Sequence, residues 1–139
     1  MTDLNFEDII GRYFNLNLKK DNYRIYVEEA GQGTPLLCLH TAGSDGRQFR
    51  HILNDKRITN NYRVIVFDLP WHGKSNPPEG YELKDYKLTT NLYKEIIMSF
   101  CKQYKLIDPV IMGCSMGGRV VLHLALEPVS YTHLRAHET

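Results

Sequence analysis

The feature that most constrains the fold is GCSMGG at residues 113–118, a G-x-S-x-G pattern. It directly follows the apolar run VIM at 110–112 and opens a segment whose apolar residues have helical spacing. A serine on such a sharp strand-to-helix turn holds strained backbone angles, and its neighbours must be small because a Cβ would collide with nearby chain. The pattern therefore predicts a turn that presents the Ser115 hydroxyl. The alternative is that Ser115 only caps the helix.

The rest of the chain alternates strand and helix patterns. Residues 23–29 alternate apolar and polar side chains, and we expect them to form the first strand. Residues 48–53 predict a short helix, and apolar residues recur at i, i+4 spacing from 92 to 104. Three nearly continuous apolar runs are typical of parallel strands covered on both faces: residues 36–40, 63–67 and 109–114. This alternation predicts a doubly wound α/β fold with a mostly parallel sheet.

Charge balance and the opening residues limit the function classes. Seventeen basic side chains balance sixteen acidic ones, so no net field attracts phosphate backbones or anionic lipid. The opening MTDLNFEDIIGRYF carries acids where a signal peptide needs a basic region, and no apolar run reaches the length of a membrane span. We therefore expect a soluble cytoplasmic protein with no nucleic acid or membrane partner, and we expect its three cysteines to be reduced.

The final segment departs from the pattern before it. PVSYTHLRAHET at residues 128–139 does not continue the helical spacing of the preceding apolar residues. In one reading frame, residues 129–139 back-translate to a sequence that resembles a transposase adapter used in sequencing libraries. We interpret residues 1–127 as the N-terminal part of one domain and residues 128–139 as a non-native tail, whose histidines are discounted. Single α/β domains often run to roughly 200–250 residues, so 139 is short for this fold.

Two further segments carry a family resemblance. HTAGSDG at residues 40–46 follows one apolar run, and DLPWHGKS at residues 68–75 follows the next. Together with the serine turn they resemble, in order and spacing, the α/β-hydrolase superfamily, whose oxyanion loop often begins His-Gly and whose next strand often ends in D-x-P-G-x-G-x-S. The resemblance covers about residues 20–127 and implies an α/β-hydrolase fold truncated after the helix of the nucleophile elbow. Thr41 and Trp71 stand where the family pattern has glycine.

The resemblance implies acyl transfer with Ser115 as the catalytic nucleophile. The backbone N–H groups of Met116 and Ala42 would hold the oxyanion, with Thr41 as the alternative to Ala42. The other motif residues would support these loops: His40, Gly43, Asp68, His72, Gly73, Gly113 and Gly117. The two histidines among them are expected to shape the loops and not to act as general base.

The general base and its carboxylate partner have no good candidate. In this superfamily both follow the nucleophile along the chain, which leaves His123 and Glu127 once the tail is excluded. His123 is about 12 Å from the elbow along the helix axis, at 1.5 Å per residue, and Glu127 lies farther. Both are expected to be structural, and His51 to lie on the surface. We therefore expect the chain as it stands to be inactive, with its acid and histidine beyond residue 127 of a longer parent.

The serine at the elbow narrows the chemistry. Haloalkane dehalogenases and epoxide hydrolases of the superfamily carry aspartate at this position, so serine favours a small-molecule ester-like or related acyl substrate. No pattern indicates a metal or a nucleotide, and no cofactor is expected. The alternative is a noncatalytic ligand-binding protein on the same scaffold. Trp71, Met116 and Phe49 are as compatible with core packing as with an acyl pocket, and the sequence leaves the oligomeric state open.

Overall fold

A computed structural model describes residues 3–85 and 87–126, together with the backbone of residues 135–138. Its strands are β1 (Ile10–Leu18), β2 (Asp21–Ala30), β3 (Thr34–Leu39), β4 (Tyr62–Phe67), β5 (Val110–Gly113) and β6 (Arg135–Glu138). They form one sheet in the order β1-β2-β4-β3-β5-β6. β3 pairs in parallel with β4 and β5, and β5 with β6, whereas β2 pairs antiparallel with β1 and β4. The predicted α/β architecture with a mostly parallel sheet is confirmed.

Helices connect the parallel strands. They are α1 (Arg50–Leu53), α2 (Lys56–Thr59), α3 (Thr90–Gln103) and α4 (Met116–Leu126), with short 3-10 turns at Gly46–Phe49 and Tyr81–Leu83. α3 begins where the Thr89 hydroxyl accepts a hydrogen bond from the Leu92 amide at 3.0 Å, as a helix cap does. The helix predicted at 48–53 is present as a 3-10 turn that runs into α1. No helix in the described part of the chain is long and apolar enough to cross a membrane.

The strand predicted at residues 23–29 is present within β2, but it is not the first strand, because β1 precedes it. β1 pairs with β2 along its whole length as an antiparallel hairpin. Its C-terminal half alternates polar Asn15 and Asn17 with Leu16 and Leu18, both of which are buried. This period of two is the signal of a half-buried strand.

The core covers both faces of the sheet. On the face that α3 and α4 cover, Leu37, Ile65 and Ile111 belong to one buried cluster. Their sequence neighbours point to the opposite face, where another cluster packs under α1 and contains Phe49. Successive strand residues alternate between the two faces, so strands covered on both sides need continuous apolar runs. Phe49 is therefore a core residue here.

β6 falls in the segment interpreted as a non-native tail. Its backbone pairs with β5 along Val110–Gly113, so β5 is not an edge strand. Residues 127–134 and 139, which include Glu127, lie outside the described residues. The non-native origin of residues 128–139 stays a prediction.

Candidate active site

Ser115 lies on the tight turn between β5 and α4. Its φ is +54°, a left-handed angle that costs an L-residue roughly 1–2 kcal/mol, and the residue is exposed. The turn is closed by the Gly117 amide, which donates to the Cys114 carbonyl at 2.9 Å. The Arg119 amide donates to the Ser115 carbonyl, also at 2.9 Å. The strand-turn-helix context that the motif predicts is present.

Two glycines let this elbow pack tightly. A Cβ at Gly113 would overlap the backbone of Gly117, and a Cβ at Gly117 would overlap the Leu39 carbonyl at the end of β3. The Cys114 amide also donates to that carbonyl, at 3.2 Å. Because no side chain separates the elbow from β3, Ser115 is brought next to the loop that begins at His40.

The loop after β3 begins with a β-turn over residues 41–44. The Ser44 amide donates to the Thr41 carbonyl at 3.2 Å, which closes the turn. Gly43, at the third position, has a φ of +76°, and glycine adopts such an angle without steric cost. This backbone requirement explains the glycine that the sequence motif contains.

Three successive amides in this turn differ in their hydrogen bonding. The Thr41 amide donates to Oε1 of Gln48, and the Gly43 amide donates to Nε2 of His72, each at 3.0 Å. For the Ala42 amide between them, the described residues offer no hydrogen-bond partner. Of the two alternatives that the sequence leaves open for an oxyanion donor, the Thr41 amide has a partner and the Ala42 amide has none among the described residues.

The Met116 amide is in a similar position on the elbow. Met116 is the first residue of α4, and the first N–H groups of a helix have no acceptor within that helix. Its amide has no hydrogen-bond partner within the described ranges. The positive end of the helix dipole favours negative charge at this point. Within the described residues, the two amides predicted to hold an oxyanion are thus both without a hydrogen-bond partner.

Two histidines join the loops after β3 and β4 reciprocally. His40, in the first loop, accepts a hydrogen bond at Nε2 from the Leu69 amide of the second loop, at 3.0 Å. His72, in the second loop, accepts at Nε2 from the Gly43 amide of the first. The rings lie 5.2 Å apart, His40 is fully buried and His72 is 9% exposed. Each loop therefore holds the other in place.

The same bonds define the protonation of both rings. Nδ1 of His40 lies 2.7 Å from the Thr41 carbonyl, and Nδ1 of His72 lies 2.9 Å from the Pro70 carbonyl. A carbonyl only accepts, so each Nδ1 carries the proton and each Nε2 is the acceptor. Burial lowers the pKa of His40, which favours this neutral form. With both nitrogens of each ring engaged by backbone, neither histidine is free to act as a general base.

Asp68 joins the same two loops. It is 6% exposed, its Oδ1 accepts from the Gly46 amide at 2.7 Å, and its Oδ2 accepts from the Lys74 amide at 2.8 Å. A Cβ at Gly73 would overlap this carboxylate, which explains the glycine of the motif. The Ser75 hydroxyl donates to the Asp68 carbonyl at 2.6 Å. The DLPWHGKS segment therefore builds its own loop and joins it to the loop after β3.

The other predicted candidates lie outside this cluster. His123 is exposed on α4 and His51 is exposed on α1. Trp71 has a φ of +72°, and its ring packs edge-on against Tyr81 with the ring centroids 5.5 Å apart. Its left-handed backbone accounts for the glycine that the family pattern has at this position.

The described residues contain no group of three or more His, Cys, Asp or Glu side chains that could hold a metal ion. The three cysteines are unpaired. Burial raises the pKa of Cys38 and Cys101 to about 12, so both are protonated thiols at neutral pH. Neither is a candidate nucleophile.

The sequence motifs do not single out Gln48 or Tyr93, yet both hold the loop after β3. Tyr93 lies on the buried face of α3, and its hydroxyl donates to the His40 carbonyl at 2.8 Å. A buried tyrosine hydroxyl needs a partner, and its helical spacing with Ile96 and Phe100 was an available signal of burial. Gln48 contacts the loop only through the folded turn, so no local pattern could have found it.

Comparison with known proteins decides the family. The family model described as alpha/beta hydrolase fold matches residues 34–132, which is more than half of the chain. The chain belongs to the α/β hydrolase fold family. The predicted resemblance and fold class are thereby confirmed, and membership supports a hydrolase.

Individual relatives of this α/β hydrolase differ in their names. It is 33% identical over 95 residues to the magnesium-chelatase 30 kDa subunit of Rhodobacter capsulatus, covering 68% of the chain and 31% of the relative. It is 26% identical over 107 residues to the pimeloyl-[acyl-carrier protein] methyl ester esterase of Vibrio vulnificus (strain YJ016), covering 77% of the chain and 37% of the relative. The chain therefore spans about a third of the length of these curated relatives.

Among solved structures, a mutant of the N-acyl homoserine lactonase AidH in complex with N-hexanoyl homoserine superimposes on the chain. The TM-score is 0.68 at 30% sequence identity, and the match covers 86% of this chain and 42% of that one. Most of this α/β hydrolase chain thus has the same fold as part of a known lactonase.

Proposed function

We propose that residues 1–127 supply the nucleophile and the oxyanion-binding loops of a serine hydrolase that acts on an ester-like or related acyl substrate. The observation that carries the proposal is the exposed Ser115, held at a φ of +54° on a turn packed against the end of β3. Open α/β sheets bind ligands outside the carboxyl ends of their strands, and β3, β4 and β5 all end at this edge. Strained backbone of this kind concentrates at functional sites.

In the proposed reaction, Oγ of Ser115 attacks the acyl carbon and a general base takes the hydroxyl proton. The acyl oxygen becomes an oxyanion, which the amides of Ala42 and Met116 would bind. The alcohol then leaves with a proton from the base, and water hydrolyses the acyl-enzyme. Each oxyanion donor is worth on the order of 10²–10³ in kcat. That both amides lack a partner among the described residues supports this role, because donors committed within the loop could not serve it.

We propose that the general base and its carboxylate partner come from sequence beyond residue 127. The rings of His40 and His72 are engaged by backbone groups, and His123 lies about 12 Å along α4 from Ser115. Relatives of this chain are about twice as long, which leaves room in a protein of their size for both groups. On this proposal the 139-residue chain alone does not turn over esters.

The names of two similar proteins support the substrate class. One is a methyl ester esterase and the other an N-acyl homoserine lactonase. The name of the magnesium-chelatase subunit mentions no ester or lactone substrate, and a noncatalytic ligand-binding role is therefore the second candidate. The two candidates differ in whether Ser115 becomes acylated.

The test uses the full-length protein that carries residues 1–127, with p-nitrophenyl acetate and butyrate as substrates. We expect hydrolysis, and we expect Ser115→Ala to lower kcat by at least about a thousandfold. Ser99→Ala on α3 is the matched control and should behave as wild type.

Turnover that survives Ser115→Ala would reject Ser115 as nucleophile. Ester binding without turnover or acylation would favour the second candidate. Turnover by the 139-residue chain, lost in its Ser115→Ala variant, would reject a base beyond residue 127.

A further inference from the structure

The peptide unit between Thr41 and Ala42 carries the Thr41 carbonyl at one end and the Ala42 amide at the other. None of the described peptide bonds is cis. In a planar trans peptide, the C=O and N–H groups point in opposite directions, so whatever holds the carbonyl also aims the amide. Two donors hold this carbonyl: Nδ1 of His40 at 2.7 Å and the Ser44 amide at 3.2 Å.

The His40 ring is itself held on its other side. Its Nε2 accepts from the Leu69 amide at 3.0 Å, and the residue is fully buried. Its backbone carbonyl accepts from the Tyr93 hydroxyl at 2.8 Å. A rotation of the ring would leave the Leu69 amide buried without a partner, which costs roughly 1–3 kcal/mol. His40 thus ties the peptide unit between Thr41 and Ala42 to the loop after β4 and to α3.

We propose that His40 is a positioning residue for oxyanion binding, which aims the Ala42 amide out of its own loop through the Thr41 carbonyl. The inference rests on the proposed function and deepens it, because an oxyanion donor contributes only when it points at the developing charge. The neighbouring bond from the Thr41 amide to Gln48 fixes the preceding peptide unit in the same way. The hydrogen bonds of the Thr41 amide and carbonyl thus explain why the Ala42 amide has no partner among the described residues.

Substitution of His40 by asparagine or by glutamine tests its two side-chain hydrogen bonds one at a time. The asparagine amide reaches the position of Nδ1, so His40→Asn keeps a donor for the Thr41 carbonyl. The longer glutamine reaches the position of Nε2, so His40→Gln keeps an acceptor for the Leu69 amide. His40→Asn leaves the buried Leu69 amide without its acceptor, whereas in His40→Gln the Thr41 carbonyl keeps its bond from the Ser44 amide, so His40→Asn is expected to lose at least as much unfolding stability. A merely structural role for His40 would therefore lower activity at least as much in His40→Asn as in His40→Gln.

In the full-length protein, we expect kcat of His40→Gln to lie about two- to tenfold below that of His40→Asn, the rate equivalent of one hydrogen bond, with KM unchanged. Equal kcat values in the two variants would overturn the inference. Ser115→Ala separates this failure from that of the proposed function. If it abolishes hydrolysis while the two His40 variants match, only the role of His40 fails. If hydrolysis survives it, the proposed function fails.

A measurement on the wild-type protein covers the case in which the His40 variants do not fold. Long-range ¹H–¹⁵N spectra at neutral pH report which imidazole nitrogen carries the proton. We expect His40 to be neutral and protonated on Nδ1. A His40 ring protonated on Nε2 could not donate to the Thr41 carbonyl and would overturn the inference.

Discussion

The nucleophile elbow and the paired loops after β3 and β4 share one edge of the sheet but are held in different ways. The elbow is held by shape, because Gly117 lies against Leu39 with no room for a Cβ. The paired loops are held by side chains, since His40, His72 and Asp68 bond backbone amides 22 to 29 positions away. The residues of the elbow are contiguous in the chain and pack against one carbonyl of β3, whereas the paired loops depend on side-chain bonds between two separate segments.

The elbow is the more sensitive of the two to added volume. Gly117→Ala would place a Cβ on the Leu39 carbonyl, so β3 or α4 must move, and we expect the free energy of unfolding to fall by about 3 kcal/mol. Chemical denaturation measures this loss. Gly43→Ala in the paired loops is the matched control: a Cβ there meets no atom within 4 Å, and only the left-handed backbone is penalised, by about 1 kcal/mol. Equal losses in the two variants would show that close packing does not distinguish the elbow.

The paired loops are the more sensitive to a lost acceptor. Asp68→Asn keeps the volume but turns one oxygen into an NH₂ group that faces the Gly46 or the Lys74 amide. A buried donor left without an acceptor costs roughly 1–3 kcal/mol, so we expect a loss of about 2 kcal/mol. Amide hydrogen exchange should quicken at Gly46 or Lys74.

Asp55→Asn is the control for this change. Asp55 accepts from the Arg57 amide as the cap of α2, and asparagine caps a helix about as well as aspartate does. Its unfolding free energy should stay within about 0.5 kcal/mol of wild type. If Asp68→Asn lowers the unfolding free energy no more than Asp55→Asn does, the Asp68 carboxylate is not what joins the two loops.

The same contrast explains how far the sequence could predict the site. β3, β4, β5 and the elbow are predictable because their signals, the apolar runs and the G-x-S-x-G pattern, are each contiguous in the chain. The choice between Thr41 and Ala42 could not be made from sequence, because it depends on the Oε1 of Gln48 and the Nε2 of His72. The sequence does not predict β1, although Leu16 and Leu18 alternate with asparagines, because asparagine is depleted in strands and weakens the pattern.

The smallest expected effect separates backbone strain from chemistry at the elbow. Ser115→Gly removes the Cβ at a φ of +54°, which relieves roughly 1–2 kcal/mol but gives the unfolded chain more freedom, for a net gain of about 0.5–1 kcal/mol in unfolding free energy. Ser115→Ala keeps the Cβ and its strain, so its stability should stay close to that of wild type. Denaturation of the two variants in parallel measures the difference, and both lack the hydroxyl that the proposed reaction needs. A glycine variant no more stable than the alanine variant would mean that the elbow stores no strain. A more stable one would mean that Ser115 is kept at this position against the preference of its own backbone, as expected of a residue retained for its hydroxyl.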